Sequence, residues 1–257
     1  MIARENEPSP AGLDWLTARP VAHRGLHDAR AGVIENTPAA IGAAVAANYA
    51  VEVDLQITAD NEAMVHHDDV LGRLTEGHSA LAALTAAELK QTPFRSTTDR
   101  MLTLAELCDL IGGRVPLLLE LKSRFDGDDR LVTRAAAVMA GYNGLFAAMS
   151  FDPALVTALR LQAPWMQRGI VAERWYSHPE WASLSRQQKW IMGNLLHILQ
   201  TRPHFIAYHV KDLPAAAPLI ARYALGMPLL TWTVRSAEDR QCAAKWASQM
   251  IFEGFRP

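Results

Sequence analysis

The chain has 257 residues, of which 50% are apolar and 20% charged, so it suits one large α/β domain or two small ones. A formal net charge of -2 excludes general attraction to nucleic acid or anionic lipid. Two cysteines without metal-ligand spacing, a charged N-terminus unlike a signal peptide, and no apolar run long enough to span a bilayer predict a cytoplasmic protein without transmembrane segments.

After a polar lead-in at residues 1–18, short apolar runs alternate with amphipathic helical stretches. The predicted strands are Pro20 to His23, Ala50 to Leu55, Ala63 to His67, Pro116 to Leu121, Phe146 to Ser150, Arg168 to Ala172, Phe205 to Tyr208, Leu229 to Val234 and Met250 to Glu253. The predicted helices are Pro38 to Asn48, Leu104 to Ile111, Arg130 to Met139, Pro153 to Gln162, Pro214 to Tyr223 and Ala237 to Trp246. About eight alternating strand–helix units imply parallel pairing and a closed (β/α)8 TIM barrel over residues 19–257.

Two stretches interrupt the alternation. The pattern is irregular at about residues 68–103, which predicts a small insertion after the second barrel region, with a short helix from Thr85 to Lys90. A second stretch, Glu180 to Pro203, is helical in character and contains Trp181 and Trp190. We expect both stretches to cap one face of the barrel, and the second to bury its own tryptophans.

Acidic residues end apolar segments that are predicted to be buried strands. Glu52 and Asp54 lie two residues apart, and Glu120 ends a separate run. Residues two apart on a strand share a face, and strand ends form the active face of a barrel, so these carboxylates are expected to converge. Any one alone would be read as an ion pair at the barrel rim. Three together form an oxygen-rich site that suits one divalent cation, Mg²⁺ or Ca²⁺, rather than Zn²⁺.

Histidines and basic residues occur at the same strand ends. His23 and His67 carry imidazoles that titrate near neutrality, at about 6.5, so one can accept a proton while the other donates. His67 is favoured over the adjacent His66 because Asp68 follows it. Arg24 and Lys122 either balance the carboxylates or, as the sharper hypothesis, hold a phosphate beside a metal.

Short motifs in this chain resemble those of the glycerophosphodiester phosphodiesterase family. They are His23-Arg24-Gly25, Glu35-Asn36-Thr37, Glu52-Val53-Asp54, His67-Asp68 with Leu71 and Arg73-Leu74-Thr75, Leu102-Thr103-Leu104-Ala105-Glu106, Glu120-Leu121-Lys122, Ser150-Phe151 and Trp232-Thr233-Val234. Each is weak evidence alone, but they occur in the family's order from about residue 20 to the C-terminus. The family's closing Thr-Asp-x-Pro motif is absent, and Glu253 is the candidate replacement for its aspartate.

The resemblance implies a phosphoric diester hydrolase that converts small-molecule glycerophosphodiesters to glycerol 3-phosphate and an alcohol. It implies a cation at the three carboxylates, His23 and His67 as the catalytic pair, and Arg24 and Lys122 at the phosphate. It also implies that Glu35 supports the cation site and that Trp232 forms an aromatic wall beside the glycerol. With the glycerol there, we expect the alcohol half to extend toward the cap from Glu180 to Pro203.

Two other functions remain open from the sequence. The first is a lysophospholipase D or sphingomyelinase D-like activity on the same barrel, for which a tryptophan-containing cap could supply an apolar channel. The second is a barrel that has lost catalysis and serves as a binding protein. The presence of both histidines and all three carboxylates argues against the second.

Overall fold

The computed structural model describes residues 12–257, and its strands form one closed sheet. The strands are β1 (Val21–Ala22), β2 (Ala50–Ile57), β3 (Ala63–Val65), β4 (Leu117–Leu121), β5 (Phe146–Ser150), β6 (Arg168–Ala172), β7 (Phe205–His209), β8 (Leu229–Val234) and β9 (Gln249–Phe252). All except β3 pair in parallel, and β1 pairs with both β2 and β9, which closes the ring. The predicted (β/α)8 barrel is confirmed.

The third strand, β3, lies outside the barrel ring. It runs antiparallel to the end of β2, with Leu55 opposite Val65. The turn between them contains Asn61 at a φ of 62°, a left-handed conformation that asparagine tolerates better than most residues. The predicted strand from Ala63 to His67 is therefore too long, and His67 lies in the loop after β3.

Helices connect successive barrel strands and pack around them. They are α1 (Asp14–Thr17), α2 (Pro38–Ala46), α3 (Ala86–Gln91), α4 (Leu104–Ile111), α5 (Arg130–Met139), α6 (Pro153–Gln162), α7 (Arg186–Gly193), α8 (Ile198–Thr201), α9 (Ala216–Tyr223) and α10 (Ala237–Trp246). Local sequence explains several starts: Thr37 caps α2 ahead of a proline, and Thr103 forms a capping box with Glu106 at α4. Every helix within residues 12–257 is too short or too polar to cross a lipid bilayer.

The described end of the lead-in packs at the amino-terminal end of the barrel. Leu13 and Leu16 are buried in one cluster with residues of the strands, and the indole of Trp15 donates a hydrogen bond to Gln167 at 3.1 Å. The rest of the lead-in, residues 1–11, lies outside the described residues. This packing closes the end of the barrel opposite the polar strand ends, so the functional groups have one open face.

The insertion between β3 and α4 shares a small core with neighbouring parts of the barrel. Seven buried apolar side chains form it: Ile34, Met64, Leu71, Leu81, Leu89, Phe94 and Met101. Only one regular α-helix, α3, forms between residues 68 and 103 of the described chain. The insertion is thus a packed extension of the barrel loop rather than a separate domain.

The segment from Glu180 to Pro203 is less regular than the sequence suggested. It consists of a 3-10 turn at Pro179–Trp181 followed by the short helices α7 and α8. Trp181 is buried against Tyr176, Leu184 and Met192, as expected for a cap. Trp190, in contrast, is 61% exposed, so the expectation that the segment buries both tryptophans is wrong for this residue.

Gly25 is required by the close approach of the loop after β1 to α2. Its φ is 80°, and a Cβ added there would lie 2.7 Å from the backbone carbon of Ala40. Gly32 has a similar φ of 75° but open space around it. We expect Gly32→Ala to cost about 1 kcal/mol of unfolding free energy from the left-handed backbone alone.

Gly25→Ala is expected to cost clearly more, because the backbone of α2 must also move. Urea unfolding of both variants measures the difference. Equal losses would contradict the role of close packing at Gly25.

Candidate active site

Three carboxylates converge inside the open end of the barrel. Glu52 and Asp54 lie on one face of β2, and the parallel register places Asp54 directly opposite Glu120 on β4. Each of the three offers an oxygen within 4.8 Å of the others. All three side chains are buried. The structure therefore brings together the three acids that the sequence predicted to converge.

Two basic side chains partly offset this negative charge. Arg24 donates from its backbone N–H to Glu52 at 2.9 Å, and its Nε lies 3.0 Å from an Asp54 oxygen. Lys122 Nζ lies 2.9 Å from Glu120 and 3.4 Å from the other Asp54 oxygen. Arg24 has a φ of 56°, which directs its backbone N–H toward the carboxylates. Three acids thus face two cations, which leaves one negative charge without a partner.

Glu52 is the acid most affected by this excess of negative charge. Burial raises its pKa well above the ordinary value, and the charges of Asp54 and Glu120 raise it further against the opposing effect of Arg24. Its Oε1 atom is buried and has no hydrogen-bond partner among the described residues. A buried carboxylate oxygen without a partner is costly, whereas bound to a cation it is satisfied. The donor set therefore fits one hard divalent cation.

Asp54 is in the opposite electrostatic situation. Although burial raises its pKa, the charges of Arg24 and Lys122 lower it well below the ordinary value. Asn36 also contacts it: the Asn36 side-chain amide donates to Asp54 at 2.9 Å. Asn36 is a site residue to which the sequence analysis assigned no role, although it lies in the Glu35-Asn36-Thr37 motif that was singled out.

Glu35 supports the site through arginines and does not join the three acids. Its carboxylate accepts a 2.7 Å hydrogen bond from Arg24 and another of 2.7 Å from Arg73 in the insertion. Burial raises the pKa of Glu35, but these two arginines lower it below its ordinary value overall. The expected support of the cation site is thus indirect: Glu35 holds the guanidinium that in turn contacts Asp54.

His67 faces the cavity, and a carboxylate contacts the ring nitrogen on the side away from it. Its Nδ1 lies 2.8 Å from Asp68, which is held in turn by Arg73 Nε at 2.7 Å. The neighbouring His66 is buried and its ring packs near Phe94. The two adjacent histidines therefore have different surroundings, and His67 is the one that lines the cavity.

His23 has a matching arrangement that joins the two ends of the chain. Its Nδ1 lies 2.6 Å from Glu253, and Arg235 Nε lies 2.5 Å from the other oxygen of that carboxylate. Burial lowers the pKa of His23 below its ordinary value, while the hydrogen bond to Glu253 opposes that effect. His27 Nε2 lies 3.7 Å from the same carboxylate. Glu253 was noted only as a possible replacement, since its partner lies 230 residues away in sequence.

These groups line a cavity of about 240 Å³ at the carboxyl ends of the strands. His23 and His67 both face it, together with Arg24, Glu52, Glu120 and Lys122. Trp232 on β8 forms part of the opposite wall, with its ring 5.3 Å from that of Phe151. Every residue that the sequence singled out for catalysis, metal binding or substrate binding thus lies in or directly beside this cavity.

Comparison with known proteins gives a consistent family assignment. The model of the glycerophosphoryl diester phosphodiesterase family matches residues 23–255. Glycerophosphodiester phosphodiesterase 1 of Bos taurus is 25% identical over 271 residues, covering 93% of this chain and 80% of that protein.

Solved structures are similar over most of their length. One is a phosphodiesterase of Oleispira antarctica in complex with its product sn-glycerol-3-phosphate, with a TM-score of 0.74, 19% identity and 91% of each chain covered. Another is a glycerophosphodiester phosphodiesterase of Parabacteroides distasonis, with a TM-score of 0.71, 18% identity, and 91% and 92% of the two chains covered. At these identities the structures establish a shared fold.

The carboxylate geometry predicts one divalent-cation site. We expect calorimetric titration with Mg²⁺ or Ca²⁺ to show a single site that is lost in Glu52→Gln, because this change removes a ligand charge while keeping the side-chain shape. Glu62→Gln is the matched control, since Glu62 pairs with Arg134 away from the cavity. Unchanged binding in Glu52→Gln would refute the assignment.

Proposed function

This chain belongs to the glycerophosphoryl diester phosphodiesterase family, and from that membership we propose that it hydrolyses glycerophosphodiesters to glycerol 3-phosphate and an alcohol. Membership makes it a phosphoric diester hydrolase. The observation that carries the proposal is the cavity itself, where two histidines, each held by a carboxylate, face three converging acids and two cations. No single group in that set is specific, but together they supply proton-transfer groups, cation ligands and positive charge, which suit hydrolysis of a phosphodiester.

The phosphate of the substrate lies between Arg24 and Lys122. Both side chains are anchored by buried carboxylates and both line the cavity, so their charges are fixed before the substrate arrives. Preorganised positive charge of this kind stabilises the negative charge that develops on phosphoryl oxygens during displacement. Trp232 forms the aromatic wall against which the glycerol carbons pack.

Glu52, Asp54 and Glu120 would hold the cation, and an all-oxygen donor set favours Mg²⁺ or Ca²⁺. When bound, such a cation adds positive charge beside the phosphate and polarises its oxygens. It also compensates Glu52, whose Oε1 has no other partner among the described residues.

Proton transfer belongs to the two histidines. Glu253 accepts from Nδ1 of His23 and Asp68 from Nδ1 of His67, so each imidazole keeps Nε2 for the substrate. One histidine takes the proton of the attacking hydroxyl, a new P–O bond forms, and the other protonates the alcohol as its P–O bond breaks. The attacking hydroxyl belongs to water, or to the glycerol itself with water opening the resulting cyclic phosphate.

The substrate is a small molecule, and we place the protein in the cytoplasm. Cys108 and Cys242 are both free thiols, which is compatible with a reducing compartment. Retention of every catalytic group disfavours the hypothesis of an inactive binding barrel.

Release of glycerol 3-phosphate from glycerophosphoglycerol tests the function directly. We expect EDTA to abolish it, and His23→Ala and His67→Ala each to lower turnover by about 10²- to 10⁴-fold, the usual contribution of an acid or base. His78→Ala, an exposed histidine of the insertion, is the matched control. A folded His23 or His67 variant with near wild-type turnover would remove that histidine from the mechanism.

The substitution Glu253→Gln tests the effect of the negative charge on Glu253, the hydrogen-bond partner of His23, separately from the hydrogen bond itself. The amide oxygen still accepts from Nδ1, so the ring keeps its orientation, but the carboxylate that favours the protonated imidazole is gone. We expect turnover to fall at least about tenfold. The limb of the pH–rate profile that belongs to His23 should move to lower pH, since Glu253 raises the pKa of His23. A profile identical to that of Glu62→Gln would contradict this role.

A further inference from the structure

One acidic side chain of the cavity has no role in the chemistry described above. Glu173 follows β6 and lines the cavity on the side of the cap. Among residues 12–257, no basic side chain lies within ion-pair distance of it. The neighbouring acids are paired: Glu180 with His178 at 3.2 Å, and Asp212 with His209 at 3.4 Å. Glu173 thus presents a carboxyl group to the cavity without a cation of the protein to balance it.

The electrostatic surroundings of Glu173 agree with this geometry. Burial, together with the charges of Asp212 and Glu180, raises its pKa to about 7, against weaker effects of Trp181 and His178. An anionic substrate would be repelled by such a group unless the end of the substrate that reaches it were positively charged. A positively charged group bound beside Glu173 would lower the pKa of this carboxyl group and so favour its ionised form.

Aromatic rings surround the same end of the cavity. The Phe151 ring lies 4.8 Å from that of Trp181, which the cap supplies, and both meet the buried ring of Tyr176 edge to face. On its other side, Phe151 meets Trp232 edge to face at 5.3 Å and 85°. Phe151 therefore separates the Trp232 wall from a second subsite bounded by Trp181 and Glu173. Ring faces beside a carboxylate attract cations, and quaternary ammonium groups above all.

The position of this subsite suits the alcohol half of the substrate. Glu120, Phe151 and Glu173 belong to or directly follow the successive strands β4, β5 and β6. Two strand spacings, about 10 Å, thus separate Glu120, which holds Lys122, from Glu173. A headgroup that is joined to the phosphate by a short carbon linker spans this distance when the contact distances at both of its ends are added.

Resting on the proposed function, we propose that Glu173, Phe151 and Trp181 bind a quaternary ammonium headgroup on the alcohol half of the substrate. Glycerophosphocholine has this chemistry, and the headgroup of glycerophosphoglycerol does not. The carboxylate supplies the charge, the rings replace water around the methyl groups, and the glycerol remains on the Trp232 side of Phe151. The cap segment then determines which alcohol the enzyme prefers.

The test compares kcat/KM for glycerophosphocholine and glycerophosphoglycerol. We expect the wild-type protein to favour the choline ester by about tenfold or more, and Glu173→Gln and Trp181→Leu each to reduce that ratio by about tenfold. Activity on glycerophosphoglycerol should stay near wild type, which also shows that the variants fold. Glu76→Gln and Trp175→Leu are matched controls, since both side chains are exposed and neither lines the cavity.

Choline itself provides a readout that does not depend on turnover. Calorimetry should show choline binding to the wild-type protein that weakens by about tenfold in Glu173→Gln and is unchanged in Glu76→Gln. A wild-type ratio near one, or equal losses on both substrates in the two variants, would overturn the headgroup assignment. Loss of hydrolysis of both substrates by the wild-type protein would instead refute the proposed function, while the choline titration would still test the subsite.

Discussion

Confinement of three carboxylates in one buried volume is the constraint on which the rest of the site depends. The parallel register of β2 and β4 places Asp54 opposite Glu120, with Glu52 on the same face. Buried charges of one sign are tolerated only with nearby charges of the other. Arg24 and Lys122 supply two, and the proposed divalent cation would supply the remainder. The positive charge that offsets the buried acids thus lies where the proposed mechanism places the phosphate.

Closure of the barrel brings His23 and Glu253 together. His23 directly follows β1 and Glu253 directly follows β9, the strand pair that completes the ring. The backbone N–H of His23 also donates to the carbonyl of Phe252 at 2.9 Å. The carboxylate that orients His23, the proposed proton-transfer group, is therefore in place only when β1 and β9 are paired.

Local sequence patterns predicted the barrel and most of its polar groups, because buried parallel strands read as continuous apolar runs and their ends are marked by charge. Strands β5, β6 and β8 and helices α4, α5, α6 and α10 have the predicted bounds. The antiparallel pairing of β3 was missed, since a short apolar run carries no sign of its partner's direction. The contact between Glu253 and His23 was equally unreadable, because the two residues lie 230 positions apart.

Anomalous diffraction from crystals soaked in Mn²⁺, a hard cation that prefers the same oxygen ligands, would locate the cation. We expect one strong peak at about 2.0–2.6 Å from oxygens of Glu52, Asp54 and Glu120. Two groups of described residues have the spacing to hold a metal, and the other is His23, His27 and Glu253. A peak at that second group, or none at the three carboxylates, would refute the proposed cation site.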